Sequence, residues 1–551
     1  MNMHSEAHIC HCLTRLATLR RHSALTIHAG RRKTGMQFVQ AVTRLARGLL
    51  HLGIKPGHVI SLSALNSDLY LEWLLAITYV GGIAAPLNYR WSMEEAKSAM
   101  EVARPVMLVT DSSSGYWHSK FNIDSVPSLR WHVQMDGPFN VFSNELLAEP
   151  ARVNPELDYL WAPENVAIIC FTSGTTGKPK GATLSHSALV IQSLAKIATV
   201  GYDEDDVYLH TAPLCHIGGI SSALAVLMAG GCHVIAPKFE TESAFEAIRD
   251  HNVTSLITVP TMMADFISFR LVNRRSESIE SVSKILNGGG GLSAKLVEQA
   301  AKVFPRAKIL SAYGMTEACS SLTFMTLCDP AKEVGRLPSD DVETSNLSSR
   351  GGVCVGKPAP HVELKLCVEE SCDGGRILMR GPHTMLYYWG LPPSLGSNQV
   401  DEGWLDTGDI GRVDEQGNLW LVGRAKDKIK SGGENIYPEE VEGVLSQHSG
   451  ISGVVVIGVP DSRLTEMVIG CIRVKEGWQW TDSDVDHSQN RCLSSTILRQ
   501  FCKDKYLTGF KIPRRFVLWE KNFPLTTTGK LKRDQVRAQL MSHAQILSSK
   551  I

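Results

Sequence analysis

Phe171 to Gly181 reads FTSGTTGKPKG, which sets four hydroxyl side chains, three glycines and two lysines close together. Glycines let several backbone N–H groups converge on one anion, and Ser and Thr add hydroxyl donors. Thr172, Ser173, Gly174, Thr175 and Thr176 supply those groups, and Lys178 and Lys180 supply positive charge. This is the chemistry of a triphosphate cradle. It is not a Walker A loop, because Pro179 stands five residues after Gly174 and no Gly-Lys-Ser/Thr closes the segment. The plainer alternative is a flexible surface loop of the same composition.

Other stretches offer matching chemistry. Ile309 to Glu317 (ILSAYGMTE) ends on a flat ring, a hydroxyl and a carboxylate at Tyr313, Thr316 and Glu317. A ring can stack on a base, and a carboxylate suits a hard cation. Core packing would explain Tyr313 taken alone. Trp404 to Asp409 (WLDTGD) carries Asp409, whose carboxylate can accept from two adjacent ribose hydroxyls or simply close a turn. Gly288 to Gly291 follows a strand pattern, but Ser293 holds the third small position of a Rossmann fingerprint and no acidic residue follows at the ribose distance. A backbone approach to a flat ring is the better reading. His210, His216 and His233 lack the short-spaced pairing that zinc sites show.

The elements that must position these residues follow from pattern. Val166–Cys170 is a buried strand before the loop, Ala182–His186 a return strand, and Leu189–Ile197 a helix. Residues 36–52 form a helix stopped by Gly53, His58–Ala64 a strand, and Leu69–Val80 a buried helix. Ser92 caps a helix from Met93, and His216 opens a glycine-flanked helix. Strand and helix patterns alternate through much of the first 400 residues, which predicts layered α/β architecture with mainly parallel sheets. Residues 454–459 and 468–474 read as strands, while 111–150 and 329–352 read as loops or insertions.

Bulk properties narrow the class. At 551 residues the chain is too long for one core. Lys plus Arg and Asp plus Glu are both 56, so nothing points to a nucleic-acid surface. No apolar run is long enough to span a bilayer. The 13 scattered cysteines predict neither a disulfide framework nor a structural zinc. The N-terminus has Arg15, Arg20 and Arg21 against the lone acid Glu6, leaving a transit peptide open. Ser549-Lys550-Ile551 is close to the Ser-Lys-Leu peroxisomal address; a chance tripeptide is the rival.

The phosphate loop, YGMTE, WLDTGD, the stretch Gly423–Glu442 (GRAKDKIKSGGENIYPEEVE) and Pro524–Lys530 (PLTTTGK) together resemble the adenylate-forming enzymes, over essentially the whole chain. The resemblance implies an acyl-AMP made from a carboxylate and ATP, then displacement of AMP by a thiol, usually coenzyme A. It implies a large N-terminal domain, 1–425, and a small mobile α+β domain, 426–551, carrying the catalytic lysine. It assigns Tyr313, with Gly314 and Met315, to adenine, and Thr316 to the AMP phosphate. It gives Glu317 to Mg2+, Asp409 to the ribose, Arg424 to the ribose or phosphate, and Gly288, Gly289 and Gly290 to the border of adenine and acyl group. Lys426 falls at the hinge, Gly432 and Gly433 at the thiol path, and His216 at the acyl pocket. Lys530, rather than the nearby Lys532, crosses the active site: two anions must meet there, and a cation between them offsets their repulsion.

Within the family, LNSDLYLEWLLA (65–76), APLNYRWS (85–92), SAYGMTEACSSLTFMTL (311–327) and TGFKIPRRFV (508–517) resemble the plant o-succinylbenzoate–CoA ligase branch. That acid carries a second carboxylate, and a buried anion needs a cation or several donors. Lys238, with the hydroxyls of Ser221 and Ser222, is the candidate anchor; a solvated loop lysine is the alternative. Another acyl-CoA synthetase, or an inactive module that holds an acyl or nucleotide ligand, are the competing functions. The peroxisomal import receptor is the expected partner of the C-terminus, with the chloroplast as alternative or additional compartment.

Overall fold

The computed structural model describes residues 7–113, 117–136, 159–172, 179–272, 279–332, 352–368, 374–391, 399–400, 403–431, 434–461, 463–481, 491–505, 507, 509–526 and 531–548. Ser173, Gly174, Thr175, Thr176, Lys178, Gly432, Gly433, Lys530 and the tripeptide 549–551 lie outside them. The chain divides into two units: Met1–Gly335, Gly356–Glu363 and Met379–Leu405 form the first, and the remainder forms the second.

In the first unit, β1 (Ala24–His28) and β2 (Arg31–Thr34) form a hairpin. One sheet is then built from β3 (Val59–Ser63), β4 (Ile83–Pro86), β5 (Met107–Thr110), β6 (Trp131–Gln134), β7 (Val166–Thr172) and β8 (Lys180–Ser185), in the order β6-β5-β3-β4-β7-β8. Its pairs are parallel except β7–β8. The chain returns beside β1 with β9 (Val207–His210), β10 (Cys232–Ile235), β11 (Ser255–Thr258), β12 (Lys284–Asn287), β13 (Lys308–Met315) and β14 (Ser320–Cys328). From β1 through β10, β9, β11 and β12 to β13 every pair is parallel, and β2 and β14 join antiparallel. The mainly parallel α/β reading holds. β6 corrects the expectation of loop throughout 111–150: Trp131 to Gln134 pair in parallel with β5.

Local chemistry explains the element ends. β7 is apolar and buried from Val166 to Phe171, as a strand covered on both faces must be. Ser185 ends β8 and caps the helix His186–Val200 by accepting from Ala188 N. Ser92 and Glu95 complete a capping box for the helix Met93–Ala103. Such a cap contributes about 1 kcal/mol. The helix Asp68–Tyr79 is buried almost all round, and its buried Glu72 is matched by Lys33 of β2 at 2.6 Å.

In the second unit, the part of strand Trp404–Val413 from Asp406 onward pairs antiparallel with Leu419–Arg424. Ile429–Ser431 pairs with Glu434–Ile436, and Ile451–Asp461 pairs along its length with Thr465–Val474. Helices Pro438–Leu445 and Ser495–Asp504 pack into the core of this α+β unit through Val441, Leu445, Leu498 and Cys502.

Candidate active site

β7 and β8 hold the two ends of the phosphate loop together, because Thr172 and Lys180 are register partners across the antiparallel pair. Beyond Lys180, Gly181 has no room for a side chain: a Cβ there would lie 2.6 Å from Ile169 Cγ2. A later segment zips onto β8. Trp389 N donates to Gly181 O at 2.7 Å, and Thr183 Oγ1 donates to Tyr387 O at 2.6 Å. That segment delivers Tyr388, whose ring lies 5.0 Å from Lys180 Nζ. The Tyr388 hydroxyl donates to Glu317 Oε1 at 2.6 Å. Burial and the neighbouring Glu317 carboxylate push the Tyr388 phenol well above its usual range, so it stays a donor. Lys180 and Glu317 are therefore brought together through a residue that the sequence reading missed. The run Tyr387-Tyr388-Trp389 before Gly390 was its signal.

β12 and β13 are parallel neighbours, so their carboxyl ends deliver Gly288 and Tyr313 to one edge, where ligands of open α/β sheets collect. A Cβ on Gly288 would meet nothing within 4 Å, which leaves space for a close ligand. Gly289 holds φ +72°, and Asn287 Nδ2 donates to Gly290 O at 2.7 Å. Gly314 is obligatory: a Cβ would lie 1.6 Å from Ser320 O on β14. Tyr313 and Thr316 are half-buried, and Glu317 is buried.

His216 is half-buried and stands at the N-cap of helix Ile217–Ala229. Gly219 permits the preceding turn, since a Cβ there would sit 2.3 Å from Pro213 O. His210 Nε2 and His233 Nδ1 bond to each other at 2.8 Å. Lys238 takes the solvated alternative. Its side chain is 57% exposed and its Nζ lies 2.9 Å from Glu240 Oε1. The chain has left β10 by Ile235, so Lys238 belongs to the surface connection and is not a buried anchor. Ser221 and Ser222 are buried, and both accept from Lys196 Nζ, at 2.6 and 3.0 Å. Lys196 is the second residue the sequence reading missed; its signal was the one charged residue in the helical pattern Leu189–Ile197.

In the second unit Asp409 lies on a strand and not on a turn, with Arg424 as its register partner. Lys426 occupies a short 3-10 turn, Ala425–Asp427. The flanks of Lys530 are pinned: Leu525 and Leu531 form a bridge, and Lys532 N donates to Pro524 O at 2.9 Å. Next in sequence, Arg533 is clamped by Glu442 and by Glu439 at 3.0 Å, with Asp427 at 3.7 Å.

These features match known proteins. Residues 14–389 match the AMP-binding enzyme family, and residues 440–530 match the AMP-binding enzyme C-terminal domain. The chain belongs to the AMP-binding enzyme family. This AMP-binding enzyme is 52% identical over 566 residues to the chloroplastic/peroxisomal 2-succinylbenzoate–CoA ligase of Arabidopsis thaliana, with 100% of each chain covered. Its fold is similar to the o-succinylbenzoate CoA synthetase of Bacillus subtilis in complex with the acyl-adenylate intermediate: TM-score 0.75, 26% identity, 96% of this chain and 97% of that one. The same Bacillus subtilis synthetase in complex with ATP and magnesium ion gives TM-score 0.74 at 26% identity, covering 95% and 98%. As an AMP-binding enzyme the chain has the large N-terminal and small C-terminal domains that the resemblance implied. No described helix is long and apolar enough to cross a membrane.

Proposed function

We propose that this AMP-binding enzyme is an ATP-dependent 2-succinylbenzoate–CoA ligase. The observation that carries the reading is the 52% identity, covering the full length of both chains, to a ligase of that name. In the first half-reaction an oxygen of the succinyl carboxylate attacks the α-phosphorus of ATP, and the bond to pyrophosphate breaks. In the second, the thiol sulfur of coenzyme A attacks the acyl carbon, AMP leaves with the oxygen, and the thiol proton passes to solvent.

Each residue has a task that its chemistry suits. The loop Thr172–Lys180 cradles the β- and γ-phosphates, and Tyr313 stacks on adenine beside Gly288, Gly289 and Gly290. Asp409 accepts from the ribose hydroxyls while Arg424 orients it. Thr316 donates to the α-phosphate. Lys530 offsets the repulsion between the incoming carboxylate and that phosphate. Glu317 offers a carboxylate, already oriented by Tyr388, that fits a magnesium ion sharing the ATP phosphates, and the ion would supply charge neutralisation there. Residues 426–551 act as a lid that turns about Lys426, and Gly432 and Gly433 make room for the pantetheine arm. We assign the enzyme to the peroxisome and the chloroplast, with the tripeptide Ser549-Lys550-Ile551 as the peroxisomal address.

The test is direct. Purified enzyme given ATP, magnesium, coenzyme A and o-succinylbenzoate should yield the thioester, AMP and pyrophosphate in equal amounts. Failure to form that thioester, with another aromatic acid converted instead, contradicts the assignment.

A further inference from the structure

Lys196 lies on the helix His186–Val200 and is fully buried. Its Nζ donates to Ser221 Oγ at 2.6 Å, Ser222 Oγ at 3.0 Å and Ser320 Oγ at 3.3 Å. All three acceptors are neutral hydroxyls. The electrostatic neighbour that bears on the ammonium is the Cys319 thiol, which burial keeps protonated. A buried ammonium matched only by neutral groups is costly, and here burial lowers its pKa to about 7. An apolar side chain would join these elements at lower cost. Lysine makes sense if an anion completes the cluster, because each hydroxyl can accept from the ammonium and donate its own proton to a carboxylate.

The place of the cluster fits that anion. Ser320 is its half-buried member and makes the longest of the three bonds. It is the register partner of Met315 across β13 and β14. Cys319 and Ser320 both hold positive φ, +54° and +116°, which non-glycine residues rarely adopt. That backbone sets the Ser320 hydroxyl toward Lys196, three residues after Glu317. Given the function proposed above, on which this step rests, the substrate brings two carboxylates, and the one on the ring needs a buried partner. We propose that Lys196, with the hydroxyls of Ser221, Ser222 and Ser320, is the subsite that binds the ring carboxylate and selects the diacid.

Other titratable groups around Lys196 do not ionise with it. Tyr208, bonded to Ser222, is pushed up by burial, and His361, bonded to Gln192 one turn before Lys196, is pushed down. The preference for the diacid therefore falls as pH rises through about 7, where Lys196 loses its proton.

The test compares o-succinylbenzoate with 4-oxo-4-phenylbutanoate, which has the same arm and no ring carboxylate, in pyrophosphate exchange with full-length enzyme. In Lys196→Met the preference for the diacid, read as the ratio of the two KM values, should fall roughly 10- to 150-fold, the range for a lost charge-assisted hydrogen bond. Lys196→Arg should retain part of it. A ratio unchanged in Lys196→Met overturns the subsite. If Lys196→Met does not fold, Ser320→Ala decides: selective weakening of the diacid supports the subsite, and equal weakening of both acids overturns it. Wild-type enzyme that ignores o-succinylbenzoate altogether contradicts the function, whereas wild type that uses it beside an indifferent Lys196 variant contradicts the subsite alone.

Discussion

Asp409 and Arg424 stand directly opposite each other on two antiparallel strands, with Arg424 Nε 3.5 Å from Asp409 Oδ1. The ion pair fixes a carboxylate that is mostly buried, and its acceptor geometry suits two vicinal hydroxyls. Asp409→Asn keeps the shape and removes the charge. The KM for ATP should rise roughly 10- to 150-fold, the scale of 1.5–3 kcal/mol for a charge-assisted bond, while that for the acid stays put. Steady-state kinetics with each substrate varied in turn checks this; an unchanged KM for ATP removes Asp409 from the ribose.

Lys530 is proposed to serve adenylation alone. Lys530→Ala should lose acyl-AMP formation by about two to three orders of magnitude. Thioester formation from supplied acyl-AMP should survive. Single-turnover assays of each half-reaction separate the two, and equal loss of both would show that one arrangement of the lid serves both steps.

The hinge and thiol path invert that pattern. Gly433→Leu should block attack by coenzyme A while pyrophosphate release persists. Lys426→Pro should also spare adenylation, because proline locks φ at the joint that must turn. Pyrophosphate release measured with and without coenzyme A reads this, and full thioester turnover in Gly433→Leu would place the path elsewhere.

Acid should loosen the N-terminal segment. His8 and His186 stack with ring centroids 3.7 Å apart, and His8 Nδ1 accepts from Cys10 N, which needs a neutral ring. Burial lowers the His8 pKa to about 3 and puts His186 well below 6.5. Between pH 6.5 and 3 the unfolded chain therefore binds protons that the folded chain refuses, so stability falls as pH drops. At pH 5 the His8 imidazole accounts for about 2 kcal/mol at 1.36 kcal/mol per unit, and His186 acts in the same direction. The thermal midpoint should fall between pH 7 and 5, less steeply in His8→Asn. Equal slopes for the two proteins would assign the acid loss to other groups.

Sequence carried the strands and the nucleotide motifs because their signals are local. The apolar run before the phosphate loop and the cap at Ser92 each follow from a few neighbouring residues, whereas the cap at Ser185 falls inside what reads as strand. What it could not carry was pairing at long range. Tyr388 reaches Glu317 across 71 positions, and Lys196 reaches Ser320 across 124. Charge alone made Lys238 the candidate anchor, since sequence does not say which lysine is buried. Burial reverses the choice: Lys238 is paired with Glu240 at the surface, and Lys196 is enclosed.

The central claim is that this enzyme activates o-succinylbenzoate as an acyl-adenylate. The most direct measurement is ATP–pyrophosphate exchange with purified enzyme across a panel of short-chain, fatty, cinnamate-type and indoleacetic acids together with o-succinylbenzoate. The account predicts that o-succinylbenzoate gives the highest kcat/KM of the panel and that Lys530→Ala lowers its exchange by about two to three orders of magnitude. Exchange that is greater with another acid, or absent with all of them, contradicts it.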